Sequence, residues 1–130
     1  MSETYQGSCM CGSVRFTWTG RPRFVSDCVC DSCRRAHGAA VVTWAGGEES
    51  QFHLDEGEAV LTWYHSSPAS ERGFCSACGT RLLFRSSKWP GELHVALASV
   101  AAPHDLHSTG VAFVDEFPAW TAVQTRPETG

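Results

Sequence analysis

Residues 9–16 read CMCGSVRF, and residues 75–84 read CSACGTRLLF. In each, a pair of cysteines is followed by glycine, then by serine or threonine, then by a strand-like run that contains arginine and ends in phenylalanine. Cys-x-Cys and Cys-x-x-Cys are spacings at which one bend of backbone points two sulfurs at one metal ion. Glycine at 12 and 79 permits a tight turn whose backbone N–H groups face those sulfurs. Two such knuckles, each leading into a strand, predict a near-symmetric clasp. Cys9, Cys11, Cys75 and Cys78 would form the closed four-thiolate site of a structural zinc.

That pairing leaves a third group, in CVCDSCRR at residues 28–35. Cys28, Cys30 and Cys33 supply three ligands where a closed zinc site takes four, and three protein ligands with one open position is the pattern of a catalytic zinc. A lone cysteine is most simply a small buried hydrophobe, but seven in three tight clusters call for metal. The fourth place is left for water or substrate, or it is filled by a histidine. His37 is the first candidate, being four residues beyond Cys33 and on the same face of any helical turn there. His53, His65, His94, His104 and His107 are the others. Three thiolates on one zinc carry a net charge of −1. Arg34 and Arg35 either offset that charge or grip a carboxylate of an anionic substrate, whose geometry matches the guanidinium fork.

The segments around the cysteines are short and rich in β-branched and aromatic residues. VRFTW at 14–18 alternates, with Val14, Phe16 and Trp18 on one face, as a half-buried strand does. Further strands are predicted over 40–44, 51–54, 59–64, 80–84, 93–100 and 111–114. One short helix is predicted over 31–37, capped by Asp31 or Ser32. Many short strands separated by turn signals indicate an all-β protein. Trp18, Trp44 and Trp63 fall within strand patterns and are expected in the core. Trp89 and Trp120 lie beside prolines and could wall a pocket.

A chain of 130 residues has the length of a single domain, expected over 1–130. With 42% apolar residues it can bury a core, and with 18% charged residues it is not a disordered chain. The net charge of −4 disfavours a nucleic-acid partner, and no polybasic block or long apolar run suggests a membrane. The opening MSETYQGS has no apolar stretch of the kind a signal peptide carries, so the expected compartment is the cytoplasm. Disulfides are rare there, which again turns the cysteines towards metal.

CMCGSVRF, CVCDSCRRAHGA (28–39) and FCSACGTRLLF (74–84), in this order and spacing, resemble the glutathione-dependent formaldehyde-activating enzyme family, to which centromere protein V is related. FPAW at 117–120 resembles that family's C-terminal Pro–Trp segment. The resemblance runs from about Cys9 to Trp120. It implies a β-tent, small antiparallel sheets clasped by zinc. It implies two zinc ions per chain, a structural one on Cys9, Cys11, Cys75 and Cys78 and a catalytic one on Cys28, Cys30 and Cys33. The implied chemistry is that of a carbon–sulfur lyase, with glutathione and formaldehyde in equilibrium with S-(hydroxymethyl)glutathione. The chain departs from the family at Val29, where a polar residue is common, and at Asp31, where serine is common; neither change removes a ligand.

The expected function is therefore a zinc-dependent carbon–sulfur lyase acting on a thiol–aldehyde adduct. Its partners would be a small thiol such as glutathione and an aldehyde, and Arg34 or Arg35 would orient the thiol's carboxylates. The alternative is a non-catalytic zinc module that binds a protein partner, as exchange-factor-like relatives of the fold bind small GTPases.

Overall fold

Strict alternation is clearest in the strand that leaves the first knuckle. The chain's computed structural model describes residues 3–123, so the ends of the expected 1–130 domain lie outside the described residues. β1 (Thr4–Ser8) pairs antiparallel with β2 (Arg15–Thr19). β2 buries Phe16 and Trp18 and turns Arg15 and Thr19 to solvent, as a period of two requires. β3 (Phe24–Cys28) and β4 (Val42–Glu48) flank the helix α1 (Asp31–His37). β5 (Phe52–Glu56) returns to pair with β2 and completes a three-stranded sheet, β1–β2–β5. β6 (Leu61–His65), β7 (Ser70–Cys75), β8 (Arg81–Ser86), β9 (Glu92–Ala96) and β10 (Val111–Ala112) join β3 and β4 in a second sheet. Its order is β10–β3–β4–β9–β8–β7–β6, antiparallel throughout except for the parallel pair of β10 with β3. The expected all-β fold of antiparallel sheets is what the chain adopts.

The second sheet is covered on both faces. Along β4, Ala45 points into the main core with Phe16, Trp18, Val25, Leu83, Leu93 and Val95. Val42 and Trp44 point to the opposite face, where they pack with Cys28, Cys33 and Ala96 beneath α1. Cys9 and Cys75 belong to the first cluster and the trio to the second. The two cysteine groups therefore sit on opposite sides of one sheet.

Several boundaries differ from the sequence reading. β1, β3 and β7 were not anticipated, because TYQGS, FVSDC and SERGFC carry few large apolar residues. β9 stops at Ala96 and the chain turns through a 3-10 helix at Leu97–Ser99, so the strand expected over 93–100 is cut short to the five residues Glu92–Ala96. The run 111–114 gives only a two-residue strand before another 3-10 turn, Val114–Glu116.

Gly7 marks where the two ends of the fold meet. A Cβ there would overlap the Phe16 ring and lie 2.7 Å from the Ser99 carbonyl oxygen, and the backbone of Gly7 bridges to Val100. Gly7→Ala is expected to cost about 1–3 kcal/mol, the scale of overpacking a close contact. Urea unfolding of the two proteins checks this; an unchanged midpoint would mean that the turn after β9 yields freely.

Candidate metal centres

The two knuckles are built alike. Gly12 N–H donates to the Cys9 carbonyl (3.1 Å), and Gly79 N–H to the Cys75 carbonyl (2.7 Å). Each glycine is left-handed, at φ 80° and 82°, a conformation that disfavours any residue with a Cβ. Cys9 N–H donates to Val14 O and Cys75 N–H to Thr80 O, so each first cysteine is anchored to the strand that leaves its turn. The hydroxyl residue two places after the second cysteine lies against that cysteine's sulfur: Ser13 Oγ is 3.2 Å from Cys11 Sγ, and Thr80 Oγ1 is 3.1 Å from Cys78 Sγ. Met10 N–H donates to Thr80 Oγ1 (3.0 Å) and ties one knuckle to the other.

These contacts bring the sulfurs of Cys9, Cys11, Cys75 and Cys78 within 4.8 Å of one another. Four sulfurs about 2.3 Å from a tetrahedral zinc would be about 3.8 Å apart. The observed separations of 3.6 Å (Cys9–Cys11) and 3.9 Å (Cys11–Cys75) fit that edge. Hydrogen bonds with Thr80 hold the Cys78 thiol down to about 5, and those with Ser13 lower Cys11. Burial pushes Cys75 up to about 11. Burying that thiol as a thiolate requires a cation beside it.

The second cluster forms where β3 runs into α1. Cys28 ends β3 and is paired with Val42 and Ala112 on the flanking strands. Cys30, rather than Asp31 or Ser32, caps the helix: its sulfur accepts the Cys33 N–H at 3.3 Å. The three sulfurs lie within 4.8 Å of one another, with Cys28 and Cys30 3.4 Å apart. Among the described residues, no histidine, carboxylate or fourth cysteine joins this cluster. His37 packs its ring edge-on against Trp44 instead, and burial, with Arg72 and Arg81 nearby, holds it down to about 4. His53, His65 and His94 pair with Asp55, Glu71 and Glu92; His104 accepts the Leu106 N–H, and His107 lies beside the Asp105 carbonyl.

The arginines divide their work. Arg34 Nε donates to Val29 O (2.9 Å) and its Nη2 to Glu116 O (3.1 Å), bracing the cysteine loop against the C-terminal turn. Arg35 is 81% exposed and paired with Asp31 at 2.8 Å. The charge that meets the trio comes from elsewhere. Arg72, on β7 and only 6% exposed, sets its two terminal nitrogens 3.7 and 3.8 Å from Cys33 Sγ and lies over the Phe84 ring. Among the described residues no carboxylate lies within ion-pair distance of Arg72. A buried cation needs an anion, and neutral thiols are poor ones. The hydrogen bond with Cys28 and the charge of Arg72 hold Cys33 down to about 5, while pairing and burial push Cys28 well above the usual thiol range. The donor set thus fits one divalent metal ion on three thiolates, with net charge −1 answered by Arg72.

The model of the glutathione-dependent formaldehyde-activating enzyme family matches residues 4–116. The chain belongs to that family. A relative from Halomonas elongata, provisionally named a glutathione-dependent formaldehyde-activating enzyme, is 25% identical over 95% of this chain and 83% of its own length. A crystal structure of a Rhodobacter sphaeroides protein shares the fold, with a TM-score of 0.63 at 24% identity over 82% of this chain and 99% of that one.

All seven predicted cysteines are thus gathered as two groups. Arg72 was missed, and SERGFC offers no local signal for it, since nothing in the segment predicts that its arginine faces inward. Trp18 and Trp44 are buried and Trp63 packs on the core, whereas Trp89 and Trp120 are exposed.

Two outcomes are expected. Cys75→Ser opens the clasp and lowers thermal stability strongly, whereas Cys33→Ser leaves a folded chain with about one zinc fewer; melts and elemental analysis check this, and equal destabilisation would make the trio structural as well. His37, ordinarily near 6.5 and here near 4, disfavours the charged form when folded. Below pH 6.5 the unfolded chain takes up the proton first, so stability falls as pH falls through that window. Between pH 7 and 5 the loss due to His37 is about 2 kcal/mol. Urea unfolding should show His37→Gln losing that much less than wild type, and parallel losses would contradict it.

Proposed function

We propose that the chain is a zinc-dependent carbon–sulfur lyase. It interconverts a small thiol plus an aldehyde with their S-hydroxyalkyl adduct, of the class of glutathione, formaldehyde and S-(hydroxymethyl)glutathione. The observation that carries this reading is the three-sulfur cluster facing a buried arginine, with no fourth protein ligand among the described residues. Two zinc ions per chain fit the donor sets, a structural one at the clasp and a catalytic one at Cys28, Cys30 and Cys33. At the trio, zinc supplies an open position for a thiolate and Lewis-acid polarisation of an aldehyde oxygen.

The chain's own side chains do the rest. Cys28, Cys30 and Cys33 hold the site, and Arg72 keeps their excess negative charge stable in an apolar setting. Trp44 and Phe84 limit water around it. Arg34 keeps the cysteine loop in place, and Arg35, at the surface of α1, is free to meet a carboxylate of the thiol at the expense of its exposed pair with Asp31. In the forward direction the thiol sulfur bonds to the aldehyde carbon, the carbonyl oxygen takes up a proton, and the thiol proton is released; the reverse breaks the same C–S bond. A cytoplasmic setting, where thiols stay reduced, suits both the ligands and such a substrate. Among the described residues, no helix is long and apolar enough to cross a membrane.

The alternative, a zinc module that binds a protein partner, draws on the exposed apolar residues Phe113, Val114 and Trp120. It gives no reason for a three-ligand cluster backed by a buried counter-charge. Exchange spectroscopy on a mixture of glutathione and formaldehyde separates the two readings. Zinc-loaded protein should speed interconversion with the adduct, and Cys30→Ser should abolish that increment. No acceleration over the spontaneous reaction would exclude this activity.

A further inference from the structure

A cavity of about 450 Å³ opens between α1 and the strands β6, β7 and β8. One face of the helix enters it through Ser32, Arg35 and Ala36, which the i, i+3, i+4 spacing places side by side. Across from them stand Arg72, Phe74 and Arg81. Three of the chain's ten basic residues therefore converge on one cavity, in a protein of net charge −4, and no aspartate or glutamate lines it.

The three guanidiniums are not equally engaged. Arg35 is paired with Asp31. Arg72 gives its terminal nitrogens to Cys33, but its Nε is buried and has no hydrogen-bond partner. Arg81 sits over the Phe74 ring, its Cζ 4.6 Å from the ring centre, and among the described residues no carboxylate is within ion-pair distance of it. Stacking on an aromatic face fixes the plane of a guanidinium and leaves its edge of N–H donors unspent. A planar acceptor with two oxygens suits such an edge. Arg72 reaches both the cavity and the trio, so a group bound here is one side chain away from Cys33.

We infer that this cavity is the subsite for the carboxylate end of the thiol, with Arg81 as its principal ligand and specificity-determining residue. The inference rests on the reading of the trio as a thiol site. It adds what the cysteines do not provide, a preference for anionic thiols over neutral ones. Phe74 and Ala36 supply an apolar wall beside Arg81, which has no carboxylate partner among the described residues.

The test uses two probes and zinc-loaded full-length protein, with binding read by calorimetry. S-methylglutathione carries the carboxylates but cannot offer a thiol; 2-mercaptoethanol offers a thiol but no charge. Wild type should bind S-methylglutathione, and Arg81→Ala should weaken it by about 10- to 100-fold, the range for a hydrogen bond to a charged group. Arg81→Lys, which keeps the charge and loses the fork, should fall between them and decides the matter if the alanine variant fails to fold. Binding of 2-mercaptoethanol should be the same in all three. The subsite is overturned if wild type does not bind S-methylglutathione, if Arg81→Ala binds it unchanged, or if both probes weaken equally. Should 2-mercaptoethanol fail to bind wild type while the loss at Arg81 holds, the subsite stands and the thiol-binding role of the trio falls.

Discussion

Four thiols drawn to within 4.8 Å of one another fix where the β1–β2 hairpin meets the β7–β8 hairpin. The rest of the site follows from that meeting. β7 ends at Cys75, and Arg72 lies three residues before it on the same strand. Anchoring Cys75 sets the depth and register of β7, and with it the position at which a buried guanidinium reaches Cys33. The clasp and the trio lie on opposite sides of one sheet, yet β7 serves both. A loose clasp would do more than open an edge of the fold. It would withdraw the cation that lets three sulfurs carry charge in an apolar layer, where an unpaired charge is costly.

The two clusters differ in a way that suits different work. The knuckles repeat one local design, a left-handed glycine and a hydroxyl that lies against the second sulfur, and four sulfurs complete a tetrahedron from the protein alone. The trio is asymmetric. One sulfur ends a strand, one caps a helix and one lies within it, so its three members move with three different parts of the backbone. Its electrostatic partner arrives from a fourth. Such a site keeps its shape through packing against Val42, Trp44 and Phe84 rather than through saturation of its metal.

The same arrangement separates holding from recognising. Arg34 is spent on the carbonyls of Val29 and Glu116, and Arg72 on Cys33, whereas Arg81 and the outer face of α1 border open space. Adjacent arginines in one motif therefore have unlike roles, because a helix turns neighbouring side chains about 100° apart.

The sequence by itself marked the candidate metal ligands. Cysteine spacing is a local property, as is the need for glycine after the second sulfur, and the matching knuckles at 9–16 and 75–84 were legible for that reason. So were the strand alternation of β2, the short helix that carries Cys33 and the all-β class. What it left open were contacts between residues far apart in the chain. TYQGS and SERGFC do not look like strands, because their inward residues are a tyrosine, glycines and an arginine rather than a run of aliphatic groups. They become strands only when partners are present: Gly7 makes room for Phe16, and Arg72 finds a cluster of thiols 39 residues before it. Whether a histidine closes the trio was likewise a question of tertiary structure. Four residues along a helix brought His37 towards the right face, but Trp44 occupies that ring, and no spacing rule contains the position of a tryptophan on the next strand.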